Sequence, residues 1–368
     1  MANEKTRLLE IIDSKSVFEG ITSRQKKQEK EGYLRQSNAD ITKALVAKMR
    51  ARKARTSLKI VKAEDGHTGH KCAKTLAKEG AQKQQTSKIK TDVDPIWAIS
   101  GACLSAMTQK LAYSVIRKKK GVLLKPREET TTNLALVSEG IKEAFGVDVT
   151  QAEMWKSIRS KHISGPCSQF LWKTIHGLFM VGNRWRREGM PEEYHDRAVC
   201  SVCENTESMD HILFRCEAPG QAEIWRELKR VWALTGIPWK EPDWGTALGA
   251  GCAVLRSENG ARKTHMESLW TILWSEAVHL IWKLRCERVI RREGEPHDKQ
   301  AVTNAWYATI ERRLTLDRRT AMLAKGKKDL KPGDVARIWA PVIENYTDLP
   351  EGWVGNSGVL VGIKRGQR

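Results

Sequence analysis

No stretch of this 368-residue chain approaches the roughly 18 consecutive apolar residues that a bilayer-spanning helix needs. Its opening residues, MANEKTR, lack the apolar core of a secretory signal. These two absences predict an intracellular protein without a membrane partner. In a reducing compartment, clustered Cys and His read as metal ligands more readily than as disulfides. Acidic residues are also in short supply: 44 Asp and Glu stand against 64 Lys and Arg, a formal net charge of +20 with a pI near 9.6. No basic amphipathic helix dominates the pattern, so the excess favours nucleic acid over a membrane surface as the polyanionic partner. The bias sits at the front, where residues 1–90 hold 22 Lys and Arg against 10 Asp and Glu.

What the chain does contain is enough apolar material for two or more modest cores, with 40% hydrophobic residues and 14 Trp. Three of its eight cysteines fall between positions 200 and 216, where Cys200, Cys203, His211 and Cys216 form a C-x2-C-x7-H-x4-C cluster. Three thiolates and one imidazole match tetrahedral zinc coordination. Four protein ligands leave no open position for a water nucleophile, so the spacing predicts a structural Zn²⁺ site.

Along the chain, Leu8 to Ile12 reads as a short buried strand ending at Asp13, with a helix starting near Ser14. Asn38-Ala39-Asp40 signals the start of a helix whose apolar stripe is Ile41, Leu45, Val46 and Met49. A strand from Leu58 to Val61, a loop marked by Gly66 and Gly69, and a helix from His70 to Glu79 that stops at Gly80 follow. The polar residues after 81 mark a linker. Helices are then expected over 98–118, with the run Arg117 to Lys120 following its end, over Asn133 to Phe145, and over Gln151 to His162. The segment FLWKTIHGLFM continues the pattern with Phe170, Leu171, Ile175, Leu178 and Phe179 at helical positions. Trp172, His176 and Trp185 within and after it are ambiguous, and His176 reads as a structural histidine sooner than as a ligand, because nothing nearby completes a metal set. Beyond Cys216, AEIWRELKRVW is an amphipathic helix expected to pack on the zinc module, and a long helix from Lys263 to Arg292 presents Trp270, Leu273, Trp274, Ala277, Ile281 and Leu284. Trp270, Trp274 and Trp282 have the chemistry to stack bases, but aromatic stripes at this spacing mostly bury themselves. A helix from Lys299 to Ala324 should turn back on it through GEPHD, and the Gly- and Pro-rich remainder reads as a loose tail.

The fold class expected is α+β overall and mostly helical. The organisation expected is a segment at 1–81, a linker at 82–97, a helical region with the zinc module at 98–235, a C-terminal helical hairpin region at 236–325 and an irregular tail at 326–368.

Two sets of motifs carry resemblances. Asp13-Ser14-Lys15, the loop VKAEDG and the helix start GHKCAKTLA occur in the order and spacing of the second half of a fungal type 1 ribonuclease H domain of the kind found in retrotransposon polyproteins. The resemblance covers most of residues 6–81. It implies a catalytic set of four carboxylates holding two Mg²⁺ ions for phosphodiester hydrolysis. Of that set only Asp13 has a counterpart here. The loop histidine aligns with Glu64, a one-residue shift bringing His67 near it, and the last aspartate aligns with Lys74. The first aspartate and the glutamate belong to elements expected before residue 1. Those elements would also pair with the strand ending at Asp13, so an exposed strand edge is expected.

The FLWK-type helix, Cys200-x2-Cys203, Glu207-Ser208-Met209-Asp210-His211-Ile212-Leu213 and Cys216 together resemble the zinc-binding region downstream of reverse transcriptases in non-LTR retroelements. That resemblance implies a module supporting nucleic-acid binding, and the C-terminal third resembles downstream sequence of the same fungal proteins. The function expected is a retroelement-derived protein that binds RNA, DNA or a hybrid. Its ribonuclease H-like segment is expected to be inactive, and Mg²⁺ matters only where hydrolysis survives. The alternative is an active RNA–DNA hybrid ribonuclease completed by upstream sequence or by a retroelement-encoded partner protein, with Asp13 as the surviving catalytic carboxylate.

Overall fold

The computed structural model describes residues 4–61, 68–83, 89–98, 101–123, 125, 127–326 and 329–365. The chain is mostly helical with one small sheet, and it divides into two compact units, Met1–Lys125 and Pro126–Arg368. No helix among the described residues is long and apolar enough to cross a membrane.

In the first unit, β1 (Leu8–Ile12) pairs in parallel with β2 (Thr56–Ile60), from Leu8 opposite Thr56 to Ile12 opposite Ile60. Alternation along β1 leaves Leu8, Glu10 and Ile12 half-buried and Leu9 and Ile11 exposed, so the strand is not the buried one its composition suggested. A parallel pair needs a crossover, and helices supply it: α1 (Lys15–Ile21), α2 (Gln25–Lys30) and α3 (Ala39–Ala51). Ser14 starts α1 as its N-cap, its hydroxyl accepting from the Val17 amide at 3.4 Å. Arg50 of α3 grips Glu29 of α2 with two hydrogen bonds of 2.7 Å, a fork-to-fork pairing that fixes the two helices. Helix α4 (Thr68–Ala81) runs one residue past Gly80 and buries no side chain.

The helix expected over 98–118 begins eleven residues later, as α5 (Gln109–Leu123). Thr108 is the reason: its hydroxyl accepts from the Leu111 amide at 3.2 Å and opens the helix there, while Leu104 lies in a separate exposed turn. Arg117 to Lys120 therefore lie inside α5, all exposed, and do not follow its end.

The second unit surrounds a large continuous core, with Cys200, Cys216 and Ala218 in a small separate cluster. Its helices are α6 (Glu128–Phe145), α7 (Gln151–Ser157), α8 (Gly165–Ile175), α9 (Gln221–Ala233), α10 (Thr264–Cys286), α11 (Lys299–Met322) and α12 (Pro332–Trp339). Thr150 and Glu153 form a reciprocal capping box at the start of α7. Helix α8 stops at His176 because Gly177 takes φ +56°, so Leu178 and Phe179 lie beyond the helix expected to carry them. Gly140 of α6 and Gly245 of the turn Trp244–Leu248 let two backbones touch. A Cβ on Gly140 would lie 2.8 Å from the Gly245 nitrogen, and one on Gly245 would overlap the Gly140 carbonyl carbon.

Helix α10 is the axis of this core. Trp270 and Trp274 stack at 3.4 Å, and Trp232 of α9 meets both edge-on at 5.1 and 5.3 Å. All three are fully buried and Trp282 is half-buried against the same core, so their rings are packing elements and Trp270 and Trp274 cannot reach a base. Helix α11 turns back against α10, as the hairpin reading requires. The stretch expected as a loose tail does not behave as one. Val335, Ile338, Trp339, Val342, Trp353 and Ile363 are buried in the common core, and Arg318 of α11 donates to the carbonyls of Trp353, Val354, Asn356 and Val359. Its Gly and Pro content sets turns around apolar anchors; it does not set looseness.

Candidate metal centre

Cys200, Cys203, His211 and Cys216 come together, with their ligand atoms all within 4.8 Å of one another. The Cys216 sulfur lies 3.8 Å from those of both Cys200 and Cys203. The first two ligands sit on a tight turn. Val199 and Thr206 form an antiparallel bridge, Cys200 donates to the Asn205 carbonyl at 2.9 Å, and Glu204 closes the turn at φ +56° while donating to the Cys200 carbonyl at 2.9 Å. The other two ligands flank one π turn, His211–Arg215. Ser208 opens it by accepting from the His211 amide at 3.0 Å, and Cys216 closes it by donating to the His211 carbonyl at 2.7 Å. A π turn places ligands five apart in sequence next to each other, and the indole of Trp225 on α9 satisfies the Leu213 carbonyl at 2.8 Å. Helix α9 thus packs on the metal module, as its apolar stripe suggested.

The donor set fits a metal. The Nε2 atom of His211 is buried without a hydrogen-bond partner, a costly state that coordination removes. The Glu217 amide points at the Cys203 sulfur at 3.1 Å, the kind of donor that stabilises a thiolate. Hydrogen bonding with Cys216 pulls the Cys200 thiol well below its ordinary range, which favours the thiolate that a metal binds. Four ligands of this chemistry could hold a metal such as zinc.

Sequence reasoning missed the groups behind these ligands. Arg288, just beyond α10, directs both terminal nitrogens at the Cys200 sulfur, 3.6 Å each. Glu207 is fully buried between Arg288, 3.4 Å away, and Arg285, whose Nε donates to it at 2.6 Å. Three thiolates and a neutral imidazole around a dication leave one net negative charge, which Arg288 offsets, while Glu207 and Arg285 offset each other. The sole signal in the sequence was Glu207 beside the ligand motif. Its partners lie about eighty residues on, beyond the reach of local spacing. Gly182, at φ +57°, passes so close to the Glu207 carbonyl that no side chain fits there.

Comparison of the chain with protein-family models, with curated proteins and with solved structures finds no match.

Asp13 belongs to the first unit and the Cys3His centre to the second. It lies at the end of β1 beside a groove of about 630 Å³ lined by Leu9, Ile11, His70 and Lys74. The Nε2 atom of His70 is 2.9 Å from its carboxylate, and this hydrogen bond holds the Asp13 carboxyl below its usual range. Among the described lining residues Asp13 is the only carboxylate, and no metal-competent group among the described residues includes it. Lys74, where the resembled motif has its last aspartate, brings an ammonium into the same groove. Glu64 and His67 lie outside the described residues.

His176 is held structurally: Nδ1 is 3.0 Å from the Thr130 hydroxyl, and the ring stacks on Trp155 at 4.8 Å and meets the edge of Trp172 at 4.5 Å. Trp185 lies under the Arg197 guanidinium at 5.3 Å, with Tyr194 beside it.

Proposed function

We propose that the chain is a retroelement-derived nucleic-acid-binding protein, with a zinc ion in the Cys200, Cys203, His211, Cys216 centre as a structural staple and a ribonuclease H-like segment that no longer hydrolyses. The observation that carries this reading is the convergence of those four ligands in a chain of formal charge +20. They stand in the pattern of the zinc-binding region found downstream of reverse transcriptases. An ion in this centre has no open position, so its contribution is to hold the Cys200–Cys203 turn against α9 and α10.

The inactivity of the first unit is argued from charge. Two-metal hydrolysis needs a constellation of carboxylates, and among the described residues the groove at Asp13 offers one carboxylate, an imidazole and an ammonium. A cation entering there meets repulsion from Lys74 where a ligand is required. Binding to nucleic acid is assigned to exposed basic surface, including Arg117 to Lys120 on α5.

The test is fluorescence anisotropy with labelled single-stranded RNA, duplex DNA and an RNA–DNA hybrid over a series of salt concentrations, beside a hybrid-cleavage assay in Mg²⁺ and in Mn²⁺. The reading expects affinity that falls log-linearly with salt and no cleavage. Absence of binding at low salt would remove the nucleic-acid assignment. Metal-dependent cleavage abolished by Asp13→Asn would restore the hydrolytic one.

A further inference from the structure

We propose that Cys167, Glu276 and His279 form a second divalent-cation site, separate from the Cys3His centre and open to solvent on one side. Glu276 and His279 are three residues apart on α10, which puts carboxylate and imidazole on one face of that helix. Helix α8 packs against that face and supplies Cys167. One sulfur, one oxygen and one nitrogen from these side chains lie within 4.8 Å of one another. Cys167 is wholly buried and Glu276 nearly so.

Charge bookkeeping around the cluster supports a cation. Arg313 reaches Glu276 only at 3.4 Å, while its Nε donates to Asp317 at 2.9 Å. Asp317 also accepts from the Trp339 indole at 3.0 Å. Two buried carboxylates therefore share one buried guanidinium, leaving a net negative charge in an interior where an unbalanced ion is expensive. A dication taken up with loss of the Cys167 proton would face one thiolate and one carboxylate. The site and the Arg313–Asp317 pair would then each be neutral.

The donor chemistry selects the ion. Sulfur, nitrogen and carboxylate oxygen together suit zinc and similar borderline metals, whereas Mg²⁺ and Ca²⁺ take oxygen ligands. Glu276 and His279 also line a cavity of about 230 Å³, ample for a water as fourth ligand. Lys283 and Arg312 stand at its mouth, both exposed, where solvent screens them. Three protein ligands and an open position distinguish this site from the closed Cys3His centre. The sequence carried the signal in the Glu-x-x-His spacing, but its third ligand lies more than a hundred residues away.

The experiment is a titration of the metal-free, reduced full-length chain with Cd²⁺ alone, following thiolate-to-metal charge-transfer absorption. Two equivalents are expected, the second adding about one third of the absorbance of the first, since one thiolate replaces three. Cys167→Ser should remove the second increment and keep the first, and His279→Gln should weaken the second by at least about ten-fold. Saturation of the unsubstituted chain at one equivalent would overturn the proposal whether or not the variants fold. So would a second increment that Cys167→Ser leaves unchanged.

Discussion

Arg288 directs both terminal guanidinium nitrogens at the sulfur of Cys200, at 3.6 Å each, and one of them also faces Glu207 at 3.4 Å. Replacing it by Ala would leave a buried thiolate and a buried carboxylate short of a partner. A loss of about 3–5 kcal/mol in stability is expected, together with about 10- to 100-fold weaker zinc binding. Urea denaturation of the zinc-loaded protein and competition with a chromogenic chelator measure the two effects. Arg288→Lys keeps the charge but offers fewer aligned donors, so its zinc affinity should fall between the two.

Trp270 is fully buried and stacked on Trp274. Trp270→Ala should cost about 3–5 kcal/mol, read from the denaturation midpoint, because the indole is replaced by a cavity in a close-packed core. Binding to nucleic acid at a temperature where the variant remains folded should be unchanged. A selective loss of binding would return this ring to the interface.

Burial pushes His162 down to about 4 from its ordinary 6.5; the positive charge of Lys161 acts in the same direction, as do Arg313 and His265, against Asp334. Nδ1 is buried without a partner and Nε2 is 3.3 Å from the Ser268 hydroxyl. The folded state therefore holds a neutral ring where the unfolded chain takes up a proton. Stability should fall as pH drops from about 6.5 to about 4 and level off below, a contribution of about 3 kcal/mol. His162→Gln removes that share of the slope, measured as the difference between the two pH–stability curves with zinc loading held constant.

Arg117, Lys118, Lys119 and Lys120 are all exposed on α5. Changing the four to Ala together should weaken binding to RNA and DNA alike, and reduce the slope of log affinity against log salt by up to about 3. An unchanged slope would move the phosphate contacts elsewhere on the chain.

Arg318 spans four carbonyls of the C-terminal stretch, the closest being Asn356 at 2.5 Å and Trp353 at 2.8 Å. Arg318→Ala should cost about 2 kcal/mol and speed proteolysis between residues 345 and 365 before the rest of the unit is cut. Limited digestion followed by mass spectrometry identifies the first site.

The metal ligands were legible because their chemistry lies within one short segment, β1 because it is a short apolar run, and α9, α10 and α11 because apolar residues recur at the helical period. Helix ends were less legible: α5 waits for Thr108 and α8 stops for Gly177, each a local hydrogen bond or backbone conformation that periodicity does not encode. The pairing of Glu207 with Arg285 and Arg288, and of Cys167 with Glu276 and His279, depends on which helices meet. Spacing along the chain shows one side of each, Glu207 beside the ligand motif and Glu276 three residues before His279, but not the distant partner. The stretch after residue 325 misled for the opposite reason, since its composition resembles a tail while its few apolar residues are anchors.

Those anchors set an order of events during synthesis. Trp339, Trp353 and Ile363 complete the core that α10 began, so the metal ligands and the long helices emerge from the ribosome well before the residues that close over them. Until residues 335–363 emerge, the growing chain carries an open apolar seam, and a metal ion taken up by the Cys3His cluster would be the earliest element able to hold the module together.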